Sequence, residues 1–150
     1  MIPLQFPQVE LKIKNTENKQ FIFDTARKKW VRLTPEEWVR QHTLHFLCNI
    51  KGYPLSLISV EKQITLNGLK KRFDLLIFDA SGQPNIIVEC KSPAVAITQA
   101  TFDQIARYNM PLKAKFLMVT NGLVHYYCMT EDDVNGKYIF LTELPDFKRR

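Results

Sequence analysis

Three residues carry the chemistry this sequence suggests: Asp74, Glu89 and Lys91. In NIIVECKSP (85–93), three β-branched apolar residues run straight into Glu89, Cys90 and Lys91 before Ser-Pro ends the stretch. Alternate side chains of a strand share a face, so Glu89 and Lys91 point one way and Cys90 the other. The preceding segment RFDLLIFD (72–79) opens its apolar run with a second carboxylate, Asp74. If the two segments pair as a hairpin across ASGQP, antiparallel register brings Asp74 beside Glu89 or Lys91.

Two carboxylates, a backbone carbonyl (that of Cys90) and water make a donor set suited to Mg²⁺ or Mn²⁺. A metal held there would activate water and offset charge on a phosphodiester, and Lys91 would orient the attacking water or stabilise the transition state. The competing reading is a partly buried ion-pair network without catalysis. Spacing alone does not decide, because Glu-x-Lys recurs at Glu10–Lys12 and Glu17–Lys19, in segments that read as an exposed hairpin. Glu89 and Lys91 differ in arriving at the end of a buried strand.

The elements that position these residues follow from periodicity and punctuation. Residues 9–24 read as a hairpin, and 26–33 as an added strand. Thr34 as cap, Pro35 at the first helical position, and Gly52 with Pro54 as terminators define a helix over 34–54. Strands are expected over 55–66, 70–79 and 85–91, then a helix over 96–109 with Ile97, Thr101, Ile105 and Tyr108 on one side. Strands over 114–122, 124–129 and 137–144 complete a mixed β-sheet flanked by helices, an α/β fold. The 150 residues fit one domain. Residues 1–33 form an N-terminal β-hairpin extension, 34–145 the core and 146–150 a basic tail.

Asp74 followed fifteen positions later by Glu89-Cys90-Lys91 resembles the PD-(D/E)xK nuclease superfamily. PEEWVRQ, GYP, VEKQI, KRFDLLIFD, IIVECKSP, DQIARYN and VTNG, in that order, are similar to the N-terminal nuclease domain of type I restriction enzyme R subunits. Phe73 stands where the superfamily name has Pro. The resemblance implies a restriction-endonuclease-like fold and Mg²⁺-dependent DNA hydrolysis by Asp74, Glu89 and Lys91. It also implies a helix glutamate near the metal, for which Glu36 and Glu37 compete. Glu36 continues the stripe Val39, Thr43, Phe46, Ile50 and is assigned to the site. Glu37 takes the partner position of a capping box with Thr34. Gln104 and Tyr108 match a Gln-x-x-x-Tyr element, with Gln104 expected at the catalytic centre. Lys70, Lys71, Arg72, Arg107 and Tyr108 are expected to contact nucleic acid.

No G-x-x-x-x-G-K-[ST] sequence occurs in these residues. A translocating motor or a specificity subunit would therefore be a separate partner, and a homodimer would supply two active sites for double-strand cutting. The alternative function is a catalytically silent nuclease-like module that binds nucleic acid or a restriction complex. The charge of +6, three units of it from Lys148, Arg149 and Arg150, suits DNA. Cys48, Cys90 and Cys128 are widely spaced in apolar contexts, as in a reducing compartment. No leader or membrane-length apolar run is visible, so a cytoplasmic location is expected. A small-molecule enzyme is disfavoured, since neither a glycine-rich cofactor loop nor a nucleophile–base pair is legible.

Overall fold

A computed structural model of the chain describes residues 1–132 and 137–148. Arg149 and Arg150 of the expected basic tail lie outside the described residues. Two sheets and two helices make up the described part. β1 (Ile13–Thr16), β2 (Lys19–Asp24) and β3 (Lys29–Arg32) form an antiparallel three-stranded sheet. Its first turn places Glu17 and Asn18 both at positive φ, as a two-residue hairpin matched to strand twist requires. The expected N-terminal hairpin thus gains its third strand.

The main sheet runs β4 (Ile58–Leu66), β5 (Leu69–Phe78), β6 (Pro84–Cys90), β7 (Phe116–Thr120), β8 (His125–Asp132) and β9 (Lys137–Leu141) in chain order. Neighbours are antiparallel except β6 and β7, which are parallel. A parallel step needs a crossover, and helix α2 (Gln99–Asn109) supplies it. Helix α1 (Pro35–Asn49) covers the other face. Val39, Leu44 and Leu47 of α1 pack with Leu75, Ile77, Ile86, Val88 and Cys90. Phe102 of α2 packs with Leu76, Ile87, Leu117 and Val119. The restriction-endonuclease-like α/β architecture expected from the sequence is present.

Element ends differ from the sequence reading for local reasons. α2 starts at Gln99, not Ala96, because the Thr98 hydroxyl accepts the Thr101 amide (3.1 Å) and caps the helix there. Its inward face is consequently Phe102, Ile105 and Asn109, whereas Tyr108 is 43% exposed. α1 ends at Asn49; Gly52 at φ +79° turns the chain, and the Tyr53 amide bonds the Leu47 carbonyl. Residues 55–57 form a single 3-10 turn before β4 rather than part of the strand.

The N-terminal segment is laid over the main sheet by one close approach. Gln5 donates its amide to the Gly122 carbonyl at 2.7 Å, and Phe6 stacks near His125. Gly122 has φ +86°, and a Cβ there would lie 2.7 Å from Leu4. Gly122→Ala is expected to destabilise the chain by roughly 1–2 kcal/mol in urea unfolding, from the strained φ and the displaced Leu4. His125 is held by Thr120 and the Gln5 carbonyl, so it serves packing.

Candidate active site

The β5–β6 hairpin sets the site through its turn. Asp79 Oδ1 accepts the Ser81 amide, the Ser81 hydroxyl and the Gln83 amide, a local cage that fixes ASGQP as a turn. From there the register runs Ile77↔Ile86, Leu76↔Ile87, Leu75↔Val88. The next opposed pair along the hairpin is Asp74 and Glu89, as the sequence reading anticipated. The ladder does not continue through them. Asp74 is absent from the registers on both of its sides, and its Oδ2 accepts the Cys90 amide at 2.8 Å. A carboxylate therefore stands in for a carbonyl at the point where the strands part. Lys91 follows at once, its amide held by the Thr120 carbonyl at 2.8 Å.

On the far side of Asp74, β4 carries a second irregularity. Glu61, which would face Asp74 across the β4–β5 ladder, has φ +52°. A non-glycine residue in that region costs on the order of 1–3 kcal/mol. Three arginines offset it: Glu61 accepts from Arg27 (3.1 Å), Arg40 (3.2 Å) and Arg72 (3.0 Å).

Arg40 is the centre of this network. It is 5% exposed and reaches Asp74 Oδ1 (3.0 Å), Glu37 (2.7 Å) and Glu61 (3.2 Å), with Glu36 at 3.6 Å. Glu37 also receives Arg27 and Gln41, and Arg27 is bonded to the wholly buried Asp24 of β2. A continuous charge chain thus links the N-terminal sheet to Asp74. Burial alone would lower the Arg40 pKa, but Glu37 and Asp74 carry it upward, so the guanidinium stays charged.

Burial, and then the neighbouring Asp74 carboxylate, push Glu89 up to about 8; Lys91 opposes the shift and Glu36 adds to it. Because the folded value lies above the unfolded one, the native state binds the extra proton. Stability is then fully present below the unfolded carboxylate pKa and is lost as pH rises towards 8. In metal-free buffer the unfolding free energy is expected to fall by roughly 2–3 kcal/mol from about pH 5 to about pH 7. Glu89→Gln should flatten that slope, and Mn²⁺ should restore stability most at the higher pH. Thermal melts across pH check both.

A match to the family described as "Type I restriction enzyme R protein N terminus" covers residues 35–145. The chain belongs to this family. A search of curated proteins gave no match. The matched span begins at the first residue of α1, so Glu36, Arg40, Asp74, Glu89 and Lys91 all fall within it. Among the described residues no helix is long and apolar enough to cross a membrane.

The remaining predicted residues separate into two groups. Glu36 does face the cluster, since Asp74 and Lys91 both act on its carboxyl, which burial and Asp74 raise. It does so from a half-exposed position, 49% for the side chain, and not from the buried stripe. Glu37 is the buried one; Thr34 caps its amide (3.0 Å), but its carboxylate turns to the arginines instead of back to Thr34. Only half of the expected capping box forms. Cys90 points into the core, 1% exposed.

Tyr108 docks on the start of β5. Its hydroxyl accepts the Arg72 amide (3.3 Å), and Lys71 lies over its ring (4.2 Å) while donating to its carbonyl. Lys71 and Arg72 are thereby engaged within the fold, Arg72 through Glu61 as well, while Lys70 is exposed. Gln104 is exposed on α2; among the described residues it makes no hydrogen bond to Asp74, Glu89 or Lys91. Arg107 lines a cleft behind α2 away from the carboxylates.

Sequence reasoning passed over Arg40, Glu61 and Asn121. Asn121 takes the Leu123 and Val124 amides and donates to the Val95 carbonyl (2.9 Å), fastening the loop after Lys91. VTNG and VEKQI were visible as blocks, but nothing in their spacing told their roles.

Proposed function

We propose that this chain is a metal-dependent nuclease that hydrolyses DNA phosphodiester bonds within a restriction system. The observation that carries the reading is the meeting of Asp74 and Glu89 where β5 and β6 part, with Lys91 two residues beyond Glu89. Two carboxylates brought together so that Glu89 resists ionisation are a poor arrangement for a pure DNA binder, because once both are charged they repel a polyanion.

The donor set fits Mg²⁺ or Mn²⁺ better than zinc. Among the described residues, no group of three or more His, Cys, Asp and Glu is gathered where it could hold a metal ion, so the protein donors would be the carboxylate pair and a backbone carbonyl. Mg²⁺ keeps much of its water and is commonly held by one or two carboxylates together with phosphate oxygens, whereas structural zinc takes four nitrogen or sulfur ligands. Asp74 and Glu89, with the Cys90 carbonyl, would hold the ion, and Glu36 is placed to act through water. When bound, the cation supplies Lewis-acid charge to the phosphodiester and acidifies water.

The chain's own residues then have distinct tasks. Arg40 and the Cys90 amide each use one lone pair of Asp74, leaving others free while fixing the carboxylate's orientation. Lys91, its backbone anchored to Thr120, offers the ammonium that positions water or offsets charge. Asp74, Glu89 and Lys91 do not line the clefts beside α2. DNA is the substrate class, and the other subunits of a type I enzyme are the proposed partners.

The test is cleavage of supercoiled and linear DNA by purified protein in Mg²⁺, Mn²⁺ or EDTA, beside calorimetric metal titration. Metal uptake with slow, EDTA-sensitive cleavage is the expected result. DNA binding without metal uptake or cleavage on either substrate would replace this proposal with the silent binding module.

A further inference from the structure

We propose a second ligand site on the outer face of the N-terminal sheet, a stacking surface for single-stranded DNA. β1, β2 and β3 lie ahead of the matched residues 35–145, which hold the carboxylate cluster. Residues paired across antiparallel strands share a face. Lys14 pairs with Phe21, Phe21 with Arg32, and Phe23 with Trp30, while the Lys12 carbonyl accepts the Phe23 amide. The other face of β2 carries Ile22 and Asp24, both wholly buried. Phe21, Phe23 and Trp30 therefore point outward, and among the described residues none of them belongs to either hydrophobic core.

One sign of charge surrounds these rings. Lys12, Lys14, Lys19 and Arg32 are exposed on the same face, and no residue in register on it is acidic. The acids of the segment lie elsewhere: Asp24 on the buried face, Glu17 in the β1–β2 turn and Glu10 ahead of β1. Among the described residues none of the four cations is salt-bridged, whereas Arg27, Arg40 and Arg72 all hold Glu61. Lys14 Nζ lies 4.5 Å from the Trp30 ring centre, and Lys12 Nζ 5.9 Å from that of Phe23. Trp30 remains 38% exposed beside its lysine. Cation–π contacts at exposed sites are weak, so a ligand that engages both ring and cation displaces them readily.

Rings interleaved with unpaired cations complement a chain that has flat apolar faces and a negative charge at every repeat. A single nucleic-acid strand has both: its bases are free to stack on aromatic side chains, and its phosphates pair with lysine and arginine. A duplex keeps its base faces inside its own stack and would leave the three rings unused. An acidic peptide supplies charge without a planar face at every repeat. The choice of DNA rests on the nuclease reading proposed for the carboxylate site.

The test uses the full chain carrying Trp38→Phe, which leaves Trp30 as its one tryptophan, in EDTA so that no cleavage occurs. An oligothymidylate of about twelve nucleotides, within the range of single-strand site sizes, should quench Trp30 fluorescence saturably, the signature of a base on the indole. In the otherwise wild-type chain, read by anisotropy of the labelled strand, Trp30→Ala should lose about tenfold in affinity and Trp30→Phe should recover most of it. Lys14→Gln/Lys19→Gln should lower the salt slope by roughly 1.4, at about 0.7 for each phosphate contact on a single strand. These three side chains are exposed, so melting temperatures should match wild type and separate lost recognition from misfolding. A duplex of equal length and polyglutamate should each bind at least about tenfold more weakly than the strand, and an oligouridylate no more tightly. The quenching should survive Asp74→Asn, so failure here and failure of the nuclease reading are distinguishable. Absence of saturable quenching, wild-type affinity in Trp30→Ala, a duplex or polyglutamate bound as tightly as the DNA strand, or a preference for RNA would overturn the proposal.

Discussion

Lys91→Ala is expected to bind Mn²⁺ as wild type does and to lose DNA cleavage by about two to four orders of magnitude. The ammonium is outside the metal's donor set, so its removal costs rate and not the ion. Glu89→Ala and Asp74→Asn should lose both, because each removes a ligand. Asp74→Asn keeps an oxygen that can accept the Cys90 amide, which isolates the lost charge from the lost hydrogen bond. Metal-free DNA affinity should move the opposite way. Deleting a carboxylate removes repulsion, so affinity holds or rises in both variants while still falling steeply with salt. Calorimetric metal titrations, cleavage time courses and salt-dependent binding curves on the same preparations separate these effects. Wild-type cleavage by Lys91→Ala, or normal metal uptake by Glu89→Ala, would refute the assignment of roles.

Arg40→Ala is expected to cost about 3–5 kcal/mol in denaturant unfolding, the scale for removing one partner from a buried charge network. It leaves Asp74 with the Cys90 amide alone, Glu61 with Arg27 and Arg72, and Glu37 with Arg27 and Gln41. A purely structural arginine would do no more than that. Here a second readout is predicted: with a neighbouring positive charge gone from Asp74, Mn²⁺ affinity should hold or rise even as the fold weakens. Added Mn²⁺ should then recover part of the lost stability by mass action. Weaker metal binding in a variant that still folds would place Arg40 in support of the metal and not in competition with it.

The carboxylate pair was legible in the sequence because it rests on two short-range rules. Strand alternation fixed the faces of Glu89 and Cys90, and the turn at ASGQP fixed the hairpin register. Glu36 was found through its helix, although the stripe argument placed it too deep. The helix carries four buried polar residues, Glu37, Arg40, Gln41 and Thr43, and a hydrophobic periodicity does not see them. Arg40 read as an ordinary solvated helix charge. Its burial depends on Glu37, Glu61 and Asp74, up to 34 positions away, and no local pattern encodes that meeting. Glu61 at positive φ was likewise silent, since a glutamate in a strand gives no sign of a left-handed backbone. Gln104 is a different case: a motif match set it at the centre, and with the capped start at Thr98 and Tyr108 docked on β5 the structure places it exposed on α2.

The parallel β6–β7 pair has a kinetic consequence. The antiparallel strands β4, β5 and β6 can zip through short turns, but β7 joins β6 only after the segment carrying α2 has crossed over, and such non-local closure is slow. Lys91 hangs from the last rung of that late pairing, its amide on the Thr120 carbonyl. On that order the ammonium would reach Asp74 and Glu89 by one of the final folding events, after the carboxylates are already opposed. In native-state hydrogen exchange the Lys91 amide should open together with β7 and not with the β5–β6 hairpin. Catalytic competence would then be gated by the assembly of the crossover, and a nascent or partly unfolded chain would carry the carboxylates without the cation that completes them.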